Sequence, residues 1–317
     1  MIQKIKLFTD SDLDGLACGI IGMGIYGDNV STVYSGPKQI DKDIVEFLKN
    51  EDVAEYSIIY VTDLTISKET ATLLDDLNKN NIVRIKLFDH HRTGYFLNKY
   101  QWARVTDTFH GDIKTCGAEL FWEYMKDIYP DWIDPFYTNM NNFIEYVRLW
   151  DTWDWVEAGE KGLVSKKFNL LRSIYSNSKF VNSIFKKICE SAGSLIDDTE
   201  NNLIEVFENK KNRYIQLKAK NARIMDFDNY KVAFVFAEEN VSELGNFLCK
   251  EFPEIDFAMM VMTDMKTVSL RAIKNEIDLS VIAKKYGGGG HPKSAGFTYS
   301  ADIEKLFIEN ILTNNLN

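Results

Sequence analysis

Apolar residues along this chain come in strand-length runs that stop at carboxylates. Ile5-Lys6-Leu7-Phe8-Thr9 runs into Asp10-Ser11-Asp12-Leu13-Asp14-Gly15, and Tyr56-Ser57-Ile58-Ile59-Tyr60-Val61-Thr62 runs into Asp63. A third run, Ile82-Val83-Arg84-Ile85-Lys86-Leu87-Phe88, meets Asp89-His90-His91. Helical patterns lie between them, over 13–27 (a small-residue helix with Gly15, Ala17, Gly19 and Gly22), 40–49 and, behind the cap Ser67, up to Asn78. A short strand is expected over 30–35, and an apolar helix over 120–125 opened by Thr115-Cys116-Gly117-Ala118-Glu119. This alternation predicts βα units on a parallel sheet.

From 136 to 223 strand signals vanish and helical spacing dominates, as in Phe143, Val147 and Trp150 or Phe180, Ile184 and Ile188. The stretch 205–223 is highly charged and free of Gly and Pro, the pattern of a solvated helix bridging two domains. Strands return at 231–237, 256–263, 267–273 and 297–299, with helices over 242–252, 279–286 and 303–312. The expected fold class is α/β, with an N-terminal parallel-sheet domain (1–190), a helical linker (191–225) and a smaller C-terminal α/β domain (226–317).

Composition narrows the classes. With 45% hydrophobic and 26% charged residues among 317, the chain reads as an ordinary globular protein. No apolar run approaches the ~20 residues needed to span a bilayer. The N-terminus enters the first strand without a signal-peptide pattern, so a cytoplasmic location and no membrane partner are expected. Cys18, Cys116, Cys189 and Cys249 are dispersed with no CxxC pair, which argues for reduced thiols and against a zinc knuckle. A net charge of −10 argues against electrostatic coating of long nucleic acid, but leaves room for a short phosphate-bearing ligand.

Three strands that deliver carboxylates to one sheet edge point to chemistry, because ligands bind at that edge of an open parallel sheet. Pooled carboxylates repel unless cations neutralise them. Mixed carboxylate and imidazole ligands suit manganese, magnesium or iron better than a thiolate-type zinc site. Asp10, Asp12 and Asp14 alternate, so they can converge on a cation, although a turn with a helix N-cap uses the same residues. An EF-hand is excluded, because Gly15 at loop position six is not followed by the Glu needed at position twelve. Asp63 alone reads as a strand-end cap and gains weight only by matching the other two strand ends.

In Arg148-Leu149-Trp150-Asp151-Thr152-Trp153-Asp154-Trp155 the tryptophans read first as packing, with base stacking as the functional reading, and Asp151 can reach the cluster from a helix end. Gly287-Gly288-Gly289-Gly290-His291-Pro292-Lys293-Ser294 reads as a flexible turn or as an anion nest. Pro292 stands where a P-loop needs glycine, and a helix precedes the run, which excludes nucleotide-triphosphate hydrolysis. Arg271 is either an exposed charge or a phosphate clamp, and His110, in a polar loop, has no assigned role.

Together these motifs resemble the DHH phosphoesterase family. Asp10 to Gly15 is similar to its first motif, Asp63 to its second, Asp89-His90-His91 to its third and Asp151 to its fourth. The glycine run with His291 is similar to the Gly-Gly-Gly-His of the DHH-associated domain. Asp151-Thr152-Trp153, Glu243-Leu244-Gly245-Asn246 and residues 286–291 further resemble bacterial oligoribonucleases of the nanoRNase B type, which are related to RecJ exonucleases. One departure is Asp10, where nanoribonucleases usually carry His and RecJ-like members Asp.

The resemblance implies an N-terminal DHH catalytic domain, a C-terminal DHH-associated substrate-binding domain, and two divalent ions, Mn2+ before Mg2+. One ion would take Asp12 and Asp63, with Asp10 as a third ligand. The other would take Asp14, Asp63, His90 and Asp151, so that Asp63 bridges. His91 with Asp89 would form the catalytic pair. Arg271, Gly288, Gly289, Gly290 and His291 would hold the substrate's terminal phosphate or sugar. The implied activity is hydrolysis of short RNA or DNA oligonucleotides to nucleoside 5′-monophosphates, by a chain that can form a homodimer. The rival readings are hydrolysis of small nucleotides, such as cyclic dinucleotides or 3′-phosphoadenosine 5′-phosphate, and non-catalytic nucleotide binding.

Overall fold

The computed structural model describes residues 4–109, 111–131, 135–190 and 194–300. His110 and the helix expected over 303–312 lie outside the described residues. The chain divides into two compact units, Met1–Ile204 and Glu205–Asn317.

The first unit begins β1 (Lys4–Asp10), α1 (Leu13–Tyr26), β2 (Val30–Ser35), α2 (Ile40–Asn50), β3 (Tyr56–Thr62), α3 (Lys68–Lys79), β4 (Arg84–Asp89) and β5 (Ala103–Val105). These strands form an all-parallel sheet in the order β2-β1-β3-β4-β5. β1 and β3 are covered on both faces, which is why they read as nearly continuous apolar runs. Ile40, Ile44 and Phe47 of α2, with Ala71 and Leu74 of α3, pack on Phe8, Ile59, Val61, Ile85 and Leu87. Four helices follow: α4 (Gly117–Ile128), α5 (Phe136–Asp151), α6 (Gly159–Ile174) and α7 (Asn177–Glu190). α1 packs against α4, α5 and α7 and is buried over Leu13 to Gly22.

The order 2-1-3-4-5 determines where a ligand can bind. The chain leaves β1 towards β2 and returns on the other side to β3. The two connections therefore diverge at the β1/β3 boundary, the switch point where an open sheet leaves a crevice. Phe8 pairs with Val61, so β1 and β3 end side by side at Asp10 and Asp63.

α8 (Asp198–Lys220) carries the division between the units. The second unit continues with β6 (Arg223–Phe227), β7 (Tyr230–Phe236), α9 (Val241–Glu251), β8 (Phe257–Met262), β9 (Thr267–Arg271), α10 (Leu279–Lys285), β10 (Gly289–His291) and β11 (Ser294–Thr298). Its sheet runs β10-β11-β9-β8-β7-β6, with only β7 and β8 parallel. One core lies under α9, and another, around Val232, Phe257, Leu270 and Ile282, under α10.

Several local expectations are corrected. The charged helix stops at Lys220, and Arg223 starts a strand rather than ending a helix. β6 is an edge strand with almost no buried residue, so it leaves no apolar periodicity to read. β5 is too short to show a period. α8 is not solvated throughout, because Ile215 and Ala219, one turn apart, pack with Ala233, Val235 and Leu248. The glycine run is not a free nest. Gly287 and Gly288 donate their N–H groups to Lys284 O (3.1 Å) and Ala283 O (2.9 Å), closing α10. Gly289, Gly290 and His291 then form an edge strand paired with Gly296, Ala295 and Ser294. Ser294 is also the partner of Arg271, so Arg271 and His291 flank it at one end of this sheet.

Candidate metal centre

Each residue of the cluster is held by the element that carries it. Asp12 caps α1, its Oδ1 accepting from Gly15 N (3.0 Å). This turn works only with glycine at 15, because a Cβ there would lie 2.1 Å from Asp10 O. Asp14, in the first turn of α1, is buried and accepts from Gly117 N (2.7 Å) and Ala118 N (2.8 Å), donors at the start of α4 that have no partner within that helix. An ionised carboxylate offers about four lone pairs, so Asp14 keeps capacity for a cation. Asp63 follows β3 in a left-handed backbone conformation (φ 56°), with its N–H donating to Phe88 O (2.8 Å). Asp151 ends α5.

These side chains meet. His90 Nε2 lies 3.2 Å from Asp63 Oδ1, 3.5 Å from Asp151 Oδ2 and 3.8 Å from Asp14 Oδ2. Ligand atoms of Asp14, His90 and Asp151 fall within 4.8 Å of one another, as do those of Asp10, Asp12 and Asp63, and those of Asp63, His90 and His91. The two carboxylate groups therefore adjoin through the Asp63–His90 contact.

Asp63 Oδ2, His90 Nε2 and Asp151 Oδ2 are all buried without a hydrogen-bond partner. Buried polar atoms are rarely left unpaired, and several within one cluster of side chains mark a missing partner. Divalent cations fit, because the donor set is oxygen with one imidazole nitrogen. Burial, then the charges of Asp14 and Asp12, push Asp63 well above the ordinary carboxylate range. The same causes push Asp151 up to about 8, and burial with Asp14 raises Asp12.

Asp89 does different work. Its Oδ1 accepts from His90 N (2.8 Å), His91 N (3.2 Å) and His91 Nδ1 (2.7 Å), and its Oδ2 accepts from Thr65 Oγ1 (2.6 Å). Burial alone would raise it, but the His91 hydrogen bond and charge and the Thr65 bond hold it below the usual range. His91 is raised in turn, chiefly by its bond to Asp89. The sequence singled out Asp89 but not Thr65, nor the α4 N–H groups that hold Asp14. The opening of that helix was visible, its target was not.

Gly117 is a steric support of the same cluster. A Cβ there would lie 2.7 Å from Asp63 Cβ, 2.9 Å from its Cα and 3.1 Å from Asp14 Oδ2. Gly117→Ala is expected to cost about 1–3 kcal/mol through overpacking and to weaken cation binding. Thermal melts with and without Mn2+ check this, and unchanged metal affinity would disconnect Gly117 from the centre.

No protein-family model matches the chain. Over 304 residues it is 30% identical to the oligoribonuclease NrnB of Bacillus subtilis, covering 95% of this chain and 74% of that protein. Its fold is similar to the DHH domain of a protein assigned to a family of ribosomal proteins (TM-score 0.61, 13% identity, 100% of this chain and 87% of the other). It is also similar to exonuclease RecJ bound to manganese (TM-score 0.57, 15% identity, 94% and 86%). The chain belongs to the DHH family of phosphoesterases. Within that family it is a homologue of oligoribonuclease NrnB across nearly its whole length.

Proposed function

We propose that this protein is a metal-dependent phosphodiesterase that hydrolyses short single-stranded oligonucleotides to nucleoside 5′-monophosphates. One observation carries the reading: His90 Nε2, buried and unpaired, lies within 3.8 Å of carboxylate oxygens of Asp14, Asp63 and Asp151 in a chain homologous to an oligoribonuclease. Asp10, Asp12 and Asp63 would hold one divalent ion, and Asp14, Asp63, His90 and Asp151 a second, Mn2+ in preference to Mg2+. Bound there, the ions supply charge neutralisation, polarisation of a phosphoryl oxygen and a lowered pKa for water.

The protein's own residues do the rest. Asp14, fixed by the start of α4, and Asp63, fixed by its backbone bond to β4, keep the carboxylates at close range. Asp89 holds His91 at Nδ1, which leaves Nε2 to donate to a phosphate oxygen or pass a proton to the departing one. In the C-terminal unit, Arg271 is set by Ser242 Oγ (2.8 Å) and Ser269 Oγ (3.1 Å), and with Gly288, Gly289, Gly290 and His291 it would bind a nucleotide's phosphate or sugar.

The test is product analysis on end-labelled RNA and DNA, from dinucleotides to long polymers, with Mn2+ or Mg2+. Mononucleotide release that is fastest from the shortest substrates is expected, because a net charge of −10 opposes long polyanions. A rate that climbs steadily with length would overturn the short-substrate reading, and no hydrolysis with either metal would overturn the enzyme.

A further inference from the structure

Trp153 sits where the fold would choose another residue. α5 ends at Asp151, Thr152 N donates to Arg148 O (2.9 Å), and Trp153 N donates to Trp150 O (3.2 Å). The residue that then turns the chain away from a helix end is usually glycine, because the backbone enters the left-handed region. Here it is Trp153, at φ 67° and ψ 7°. A bulky residue in that region is an outlier that the surrounding structure must sustain.

Packing does not account for it. Trp150 and Trp155 stack on each other (centroids 5.2 Å apart, 24° between planes), while Trp153 adds only a looser contact to each, at 6.3 and 5.7 Å. The residue remains 66% exposed. A strained backbone thus holds a large apolar surface in water, two residues from a carboxylate of the metal cluster. A cation shares this rim: Lys114 Nζ donates to Thr152 O (3.2 Å) and lies 3.6 Å from Asp154 Oδ1.

We propose that Trp153 is a stacking platform for the nucleobase beside the scissile phosphate, a role that rests on the phosphodiesterase reading above. Every base has a π-face, so one indole can hold a short substrate without reading its sequence. The occupant follows from position: a diester bound at the Asp151 end of the cluster brings a base to this helix end, and Lys114 is placed for a neighbouring phosphate.

Trp153→Ala, Trp153→Gly and Trp153→Phe are compared with wild type on a dinucleotide and on the same diester built with base-free sugars. The alanine and glycine variants are expected to raise KM for the dinucleotide roughly 5- to 150-fold more than KM for the base-free diester, the worth of one stacked base. Phenylalanine restores most of the loss. Trp153→Gly, relieved of strain, melts at or above the wild-type temperature, so its loss is not unfolding. Equal losses on both diesters, or no rescue by phenylalanine, would show that the indole merely supports Asp151 and would overturn the platform. Wild-type protein inactive on both diesters would overturn the phosphodiesterase reading and the platform with it. Wild type active on both, with Trp153→Ala indistinguishable from it, would overturn the platform alone.

Discussion

Asp63→Asn is expected to abolish metal-stimulated turnover while raising the melting temperature of the metal-free protein. The opposite signs have one cause. Asp63 is 1% exposed, faces Asp12 and Asp14, and has one carboxylate oxygen without a partner. Without cations, ionising Asp63 among buried like charges is costly, so a neutral amide of the same shape is an improvement. With cations bound as proposed, the same charge would be a shared ligand, and its loss should exceed the roughly 10- to 100-fold cost of removing a residue that only supports a ligand.

Metal at 100 times its dissociation constant should stabilise wild type by about 2.7 kcal/mol, or roughly 5–10 °C. The variant should show little of this. The pH dependence follows. Asp151 titrates near 8 in the folded protein and near ~3.9 when unfolded. The native state therefore binds more protons between those values, and metal-free stability falls as pH rises through that window. Bound cations favour the deprotonated form and oppose that fall. Melts across this range, with chelator and with Mn2+, check both signs. A metal-free variant less stable than wild type would sink the charge-crowding account.

Asp89→Asn is expected to lower turnover by roughly 10²–10⁴-fold, the usual worth of a positioned acid or base, without removing any proposed metal ligand. Asp89 is fully buried, and its oxygens are already engaged by His90, His91 and Thr65. Its effect passes through His91, which it orients and whose proton it stabilises. In the variant the His91 pKa should fall, and the alkaline limb of the pH–rate profile should move to lower pH. NMR titration of the His91 ring reads this directly.

Stability carries the same mark. Asp89 is depressed, so its contribution is present above the ordinary carboxylate range and lost as pH falls through its folded value. His91 is raised, so its contribution is full below the ordinary histidine value and lost as pH rises through its folded one. The pair is therefore most stabilising in mildly acidic solution, and Asp89→Asn should flatten the stability curve there. An unshifted His91 titration would remove Asp89 as its positioning residue.

Much of the centre could be picked out in one dimension because each carboxylate stands where a readable strand or helix ends. Asp10, Asp63 and Asp89 follow apolar runs, and Asp151 follows a helical period. What supports them could not. Gly117, Thr65 and the N–H of Ala118 act on Asp63, Asp89 and Asp14 from distant stretches, and nothing local about a glycine or threonine announces its target. The edge strands β6 and β10 were missed for a related reason, since short exposed strands bury no alternating face.

By itself the sequence determined the parallel βα architecture of the first unit and the acidic and imidazole character of its strand ends, because hydrophobic period and residue chemistry are local properties. Only the tertiary structure decided the strand order that sets β1 beside β3, the close contacts among Asp14, Asp63, His90 and Asp151, and the separate employment of Asp89 on His91. Those depend on which distant segments pack together, and the free energy of that packing belongs to no single stretch of chain.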